Sequence, residues 1–313
     1  MKRVTTLLIA LLMTAMMIFT GCQATPATPA ATETPVTPIE DMKLKIGIMP
    51  AVDSAPILLA EKKGYFKDLG LDIDIQVYNN AANRESALQS GELDGTMTDL
   101  IAFVNSVQNG LDIKITTSTD GSFPFLLKKG FVEQKNIKVG MMEVSVSNFL
   151  SDQFLKDKYE MEKVFINEIP ARLEMVKAGQ LDMANLPEPI ASMGELGGLE
   201  KVVYTNVDNF MPEAMVFTGK TLKEKSKALE AFHQAYNKAV ADIISNDEEA
   251  RDVLIEKLKL KPEIKKLITL PQYNMARVPD EAYLNKVIGW VEEVQKIDIT
   301  VPYDQMIERK FIQ

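Results

Sequence analysis

SALQSGELDGTMTDL, residues 86–100, is a pattern this chain uses twice; its second form is LEMVKAGQLDMANLPEP, residues 173–189. Each copy begins with a short amphipathic helix, Ser86–Ser90 and Leu173–Ala178. A glycine follows, Gly91 or Gly179, where the helix needs a left-handed cap that only glycine adopts cheaply. Next come a polar residue and a Leu-Asp pair, Leu93-Asp94 and Leu181-Asp182. A short apolar strand, Gly95–Met97 or Met183–Ala184, then leads to a loop that opens a new helix. Such a unit is half of an α/β crossover. Used twice, it predicts an α/β chain with two similar lobes and a cleft between them. Each lobe presents a loop and a helix N-terminus at the C-terminal edge of its strands, the edge where open α/β sheets bind ligands.

Working outward from the repeat, the N-terminus reads as an address. Lys2 and Arg3 precede an apolar run, Leu7–Phe19, that is too short for a comfortable membrane span. The run ends in Phe19-Thr20-Gly21-Cys22, and Cys22 is the only cysteine of the 313 residues. The stretch resembles a bacterial lipoprotein signal, with Phe19 where that motif usually carries leucine. This implies a signal peptide over residues 1–21 and lipidation, palmitate included, on Cys22. Acyl chains there supply more than the two signals that stable membrane attachment requires. From Gln23 to Asp41 the chain is mostly Ala, Thr, Pro and Glu without apolar periodicity, the composition of a disordered tether, here residues 22–42. The expected location is the extracytoplasmic face of a cell membrane, held by lipid.

The remaining body is long enough to bury a core, and its formal charge, −9 for the whole chain, argues against a nucleic-acid surface. Lys43–Met49 alternates as a strand, and Asp53 or Ser54 is placed to cap a helix running to Lys63, with Pro56 in its first turn. Leu71–Tyr78 is a second strand and Asn79–Asn83 a polar loop. Asp99–Asn109 reads as a helix and Leu111–Thr117 as a strand. The chain should change lobe near Phe123–Lys128. It then continues through the strand Ile137–Met141, the helix Ser145–Lys158, the strand Lys163–Ile166 and the second repeat copy. Lys201–Tyr204 is a strand, Asn206–Met211 a return crossover, and Glu213–Phe217 a strand rejoining the first lobe. The helices Leu222–Ser245, Asp247–Lys257 and Asp280–Gln295 pad that lobe. On this reading one lobe comprises residues 43–122 and 212–313, and the other residues 123–211.

IGIMPAVDSAPILLAEKKGYFKDLGLDIDI, residues 46–75, followed by ALQSGELDGTMTD, resembles the solute-binding proteins of ABC importers. The resemblance is to the branch that handles alkanesulfonates, nitrate and thiamine-pyrimidine precursors. It covers Lys43 to about Tyr204 and is most specific in the first eighty or so residues. It implies a type II periplasmic-binding-protein-like fold whose lobes are joined by a two-strand hinge and close on a solute. The implied partners are a small-molecule solute, an ABC permease and its ATPase, with the protein a monomer, no cofactor and no catalysis.

Strand-end loops and helix N-termini should line the cleft, because their N–H groups are unpaired there. The candidates from the first lobe are Asp53, Ser54, Ala55, Thr98, Asp99, Ser118, Thr119 and Asp120. From the second they are Ser145, Ser147, Asn185 and Glu188, with Asn83 and Arg84 as weaker candidates at the start of a helix. Asp53, Asp99, Asp120 and Glu188 weigh against a bare anion, since unit charges about 4 Å apart at intermediate dielectric interact by about 4 kcal/mol. An amine-bearing heterocycle is favoured over sulfonate or nitrate, unless Asp53 and Asp99 only cap helices. Phe123, Phe125 and Phe149 could face either core or cleft. His233 and Trp290 read as packed helix residues. One histidine and no spare cysteine leave no metal-ligand cluster in the sequence. Two other functions remain on this scaffold. One is an enzyme, such as a pyrimidine-precursor synthase or a small-molecule lyase; the other is a surface solute sensor.

Overall fold

The computed structural model describes residues 41–205, 208 and 210–312. The signal peptide, Cys22 and most of the tether lie outside them, as does part of the expected Asn206–Met211 crossover. The elements begin with β1 (Lys43–Ile48), α1 (Ala55–Lys62), α2 (Tyr65–Asp68), β2 (Asp72–Val77), α3 (Ala81–Gln89), β3 (Gly95–Asp99), α4 (Leu100–Gln108) and β4 (Ile113–Ser118). They continue with β5 (Phe125–Leu127), β6 (Asn136–Met141), α5 (Val146–Leu155), β7 (Glu160–Phe165), α6 (Ile169–Lys177), β8 (Met183–Asn185), α7 (Ile190–Leu196) and β9 (Glu200–Val202). The chain then forms β10 (Glu213–Thr218), α8 (Gly219–Glu224), α9 (Ser226–Ser245), α10 (Glu248–Lys257), α11 (Glu281–Gln295) and α12 (Tyr303–Met306).

Among the described residues the strands form two sheets, ordered β2-β1-β3-β10-β4 and β7-β6-β8-β5-β9. The two orders correspond strand for strand. In each sheet the first three strands are parallel, and the fourth runs antiparallel to both of its neighbours. That antiparallel strand is the one that has just arrived from the other sheet: β10 enters the first after β9, and β5 enters the second after β4. The two-lobe α/β expectation is met.

The repeat is a real structural unit. Gly91 and Gly179 both take left-handed conformations, φ +75° and +73°. The aspartate three residues later closes the same joint in each lobe. Lys45 N–H donates to Asp94 Oδ2 at 2.8 Å, and Asp94 N–H donates back to Lys45 O at 2.8 Å. Lys138 N–H donates to Asp182 Oδ2 at 2.7 Å, and Asp182 N–H to Lys138 O at 2.9 Å. The preceding leucine lies over a strand glycine, Leu93 over Gly47 and Leu181 over Gly140, where a Cβ would collide with the leucine methyl.

Several local readings change. The repeat helices start earlier than expected, at Ala81 and Ile169, so Asn79–Asn83 is not all loop. Asn80 caps α3 by accepting Asn83 N–H, which adds a first turn that the hydrophobic pattern alone did not carry. Neither Asp53 nor Ser54 caps α1 through its side chain; both lie in a 3₁₀ turn, and Ser54 Oγ donates to Ala51 O at 2.7 Å. The expected helix Leu222–Ser245 is two helices, α8 and α9, joined at Lys225. α9 buries a stripe of Leu229, Phe232, Tyr236, Val240 and Ile243 against α1, with Phe66 and Phe232 stacked 5.8 Å apart. His233 is buried in this core, where Leu229 O lies 2.7 Å from Nδ1.

The two glycines that follow the repeat geometry into the sheets differ in what surrounds them. A Cβ on Gly95 would lie 2.3 Å from the Phe217 ring and 2.4 Å from Val216 O, a backbone atom that cannot swing away. A Cβ on Gly140 would lie 2.5 Å from a Leu181 methyl, which can turn aside. Gly95→Ala should therefore cost about 1–3 kcal/mol, and Gly140→Ala clearly less. Thermal denaturation of the two variants side by side checks the order.

Candidate functional site

The strand ends of the two sheets meet around a cavity of about 80 Å³. Its first-lobe wall carries Met49, Asp53, Arg84, Met97, Asp99 and Glu213; its second-lobe wall carries Met142, Ser145, Ser147, Ile169, Arg172 and Pro187, with Phe123 between them. Contacts across the cleft surround it. Val52 N–H donates to Glu188 O at 3.0 Å, Thr269 N–H donates to Glu188 Oε1 at 3.1 Å, and Asn80 bonds Glu168. α5 packs its Val146, Phe149 and Leu150 into an apolar cluster with Leu100, Ile101, Val104 and Tyr283 of the first lobe. Trp290 is half-buried and completes this contact, edge-on to Phe149 with ring centroids 5.6 Å apart and donating to Asp152 Oδ2 at 3.0 Å. It is an inter-lobe residue rather than a core one.

Asp53, Asp99, Ser145 and Ser147 line the cavity as the sequence suggests. Arg84, a weaker candidate, lines it too, and the others do not. Ser54 and Ala55 are fully buried at the start of α1, and Thr98 Oγ1 is held between Arg84 and Glu85. Ser118 and Thr119 are buried beneath the cavity, where their backbone N–H groups donate to Arg277 O and Glu213 O. Asp120 faces a separate cavity and accepts from Asn274 and Arg277. Asn185 is buried and donates to Phe123 O, while its own carbonyl accepts from Arg172. Glu188 is the sharpest correction: it is fully buried away from the cavity, ion-paired with Lys201 at 2.8 Å and accepting from Ser192. A carboxylate sunk this deep is stable only with its charge and lone pairs matched, which Lys201, Ser192 and Thr269 do here.

Arg84 is stronger than its reading from sequence, and Arg172 and Glu213 were missed. A signal for the arginines existed. Gly91 and Gly179, Leu93 and Leu181, and Asp94 and Asp182 are each 88 residues apart, and so are Arg84 and Arg172. Each arginine leaves its repeat helix, α3 or α6, for the cavity and is about as buried as the core, 5% and 3% exposed. Their surroundings differ. Arg84 Nη2 bonds the Glu85 carboxylate at 2.8 Å and Thr98 at 3.2 Å, while its Nε, like that of Arg172, is unpartnered. Arg172 has one hydrogen bond, from Nη1 to Asn185 O at 3.0 Å, and its Nε is unpartnered. Burial without a counter-charge lowers the Arg172 guanidinium to about 10.

The carboxylates feel the same burial in the opposite sense. Desolvation raises Asp53 to about 7 against the pull of Arg84 and of the Asp53 and Ser54 backbone N–H groups. It raises Asp99 to about 6, opposed by the Ala102 N–H bond to Oδ1 at 2.8 Å and by Arg84. Glu213 pairs in register with Asp99 across β10 and β3, and it rises well above its ordinary value through burial and then the charges of Asp53 and Asp99. Asp53 Oδ1 accepts no hydrogen bond. Among the described residues no three histidine, cysteine or acidic side chains are grouped to hold a metal ion.

The ligand-binding component of an ABC-type import system from Staphylococcus aureus, solved with zinc bound, superposes with a TM-score of 0.73 at 18% identity, over 87% of this chain and 98% of that one. The periplasmic aliphatic sulphonate binding protein of Escherichia coli superposes with a TM-score of 0.68 at 14% identity, over 85% and 97%. This is the periplasmic-binding-protein fold. Residues 37–138, which include the first repeat copy, match the model of the NMT1-like family. A nitrate import ATP-binding protein of Synechococcus elongatus is 32% identical over 54 residues, 17% of this chain. The chain spans 8% of that relative's length.

The raised carboxyls have a consequence for stability. Between about pH 4 and pH 7 the native chain keeps on Asp53 a proton that the unfolded chain releases, so this group's contribution to stability falls as pH rises through that window. Asp53→Asn should raise the melting temperature of the ligand-free protein at pH 8, by about 2–4 °C for each kcal/mol recovered. The gain should vanish near pH 4. Melting curves of both proteins across pH 4–8 check the sign.

Proposed function

We propose that the chain is an extracytoplasmic solute-binding protein of an ABC importer, which closes two lobes on a small organic solute and hands it to a membrane permease and its ATPase. The observation that carries this reading is the cavity between the lobes, walled by buried charged groups with unpartnered atoms on both sides. The fold supports it, and so does the match of residues 37–138 to the NMT1-like family. Three buried carboxylates on one wall favour a solute with an amino group over nitrate or a simple sulfonate. The protein acts as a monomer on the outer face of the membrane, anchored through lipidated Cys22 and the tether that follows it. It performs no chemistry and uses no cofactor.

Trp290, the single tryptophan, reports closure directly. Solute at saturation should shift its emission to shorter wavelength, shrink the particle in small-angle scattering and raise the melting temperature, by about 2.7 kcal/mol of stabilisation at a hundredfold excess over Kd. An unchanged scattering radius with bound solute would overturn hinge closure. Turnover of the solute by the purified body would replace transport with the enzyme reading, and solute binding without a permease partner would favour the sensor. Cys22→Ser should move the protein from the membrane fraction to the soluble one; fractionation of expressing cells followed by immunoblotting reads this.

A further inference from the structure

The cavity is polarised between its two walls, and this goes one step beyond the solute-binding reading on which it rests. On the first lobe Asp53, Asp99 and Glu213 face the cavity with Arg84 as the one cation of that wall, and Arg84 is already engaged by Glu85 and Thr98. On the second lobe Arg172 faces the same cavity, and that wall carries no carboxylate. Arg172 is 3% exposed, forms no ion pair among the described residues, and leaves Nε without a partner. A buried guanidinium held by a single backbone carbonyl lacks the compensation that buried charges require. Asp53, 5% exposed with Oδ1 unpartnered, has the mirror-image deficit on the other wall. No hydrogen bond or ion pair joins Arg172 to Asp53 among the described residues.

We infer that the solute is a small zwitterion, its cationic nitrogen held by Asp53, Asp99 and Glu213 of the first lobe and its anionic group held by Arg172 of the second. One molecule then compensates both walls, and the lobes close because each charge of the solute belongs to a different lobe. A cation alone leaves Arg172 buried and unpaired. An anion alone leaves Asp53 Oδ1 buried without a partner.

The test uses the tether-free body and matched probes: aminoacetate, 3-aminopropanoate and 2-aminoethanesulfonate, each beside the amine and the acid that lack its second charge. Isothermal titration should find at least one zwitterion binding at least a hundredfold more tightly than both of its single-charge partners. Arg172→Gln should weaken that zwitterion at least tenfold without weakening the matched amine, and Arg172→Lys should restore part of the loss. Asp53→Asn should weaken the zwitterion without weakening the matched acid. Melting temperatures of the variants establish that they are folded. An amine or an acid that binds as tightly as its zwitterion, or a zwitterion indifferent to Arg172→Gln, overturns the inference and leaves solute binding standing. Silence of all these probes beside a bound aminopyrimidine, sulfonate or nitrate does the same. Silence of every compound overturns the solute-binding reading together with this one.

Discussion

The burial of charge at the meeting of two lobes is the constraint on which the rest of this structure depends. Each lobe brings an arginine to the cleft by the same route. The Leu-Asp pair fixes the route, because Asp94 and Asp182 tie the start of a strand to its neighbour through two hydrogen bonds each. The ladder pairing of β3 with β1, and of β8 with β6, extends over two residues on each side, so the carboxylate bonds carry the joint. With the joint fixed and the leucine seated over a strand glycine, the preceding helix can lie only one way over the sheet. Its arginine then reaches the strand ends rather than solvent.

What happens to that arginine differs between lobes, and the difference gives the cleft its character. The first lobe surrounds Arg84 with carboxylates, to the point that burial and mutual repulsion push those carboxylates towards their protonated forms. The second lobe leaves Arg172 with a backbone carbonyl alone. Such arrangements are poor for stability by themselves and are found where a protein reserves its charges for something it binds.

Apolar packing rather than charge closes the cleft at its side. α5 is the helix that starts at the cavity with Ser145 as its cap, and one of its turns also inserts Phe149 and Leu150 against the first lobe. The same helix therefore senses the cavity and the inter-lobe seam. Glu188 and Lys201 act on the far side, where a matched buried ion pair also accepts a backbone N–H of the first lobe. Movement of one lobe against the other would have to break both contacts together.

The repeat, the two-lobe α/β class and the positions of most strands were legible in the sequence, because they depend on local rules: glycine at a left-handed cap, alternation in strands, prolines and small residues at joints. Asp53, Asp99, Ser145 and Ser147 were legible for the same reason, as each stands at a strand end or helix start. Glu188 obeyed those rules and still went elsewhere, because its fate was set by Lys201 and by Thr269, 81 residues away. Arg172 showed itself only through the 88-residue register it shares with Arg84, Glu213 gave no local sign of facing a cavity, and Trp290 looked like a core residue until the opposite lobe supplied Phe149. Local stereochemistry is written residue by residue, and so the sequence by itself determined the parts and their order. Burial and charge pairing are properties of the surroundings, and only the packing of the two lobes decided which side chains face the cavity.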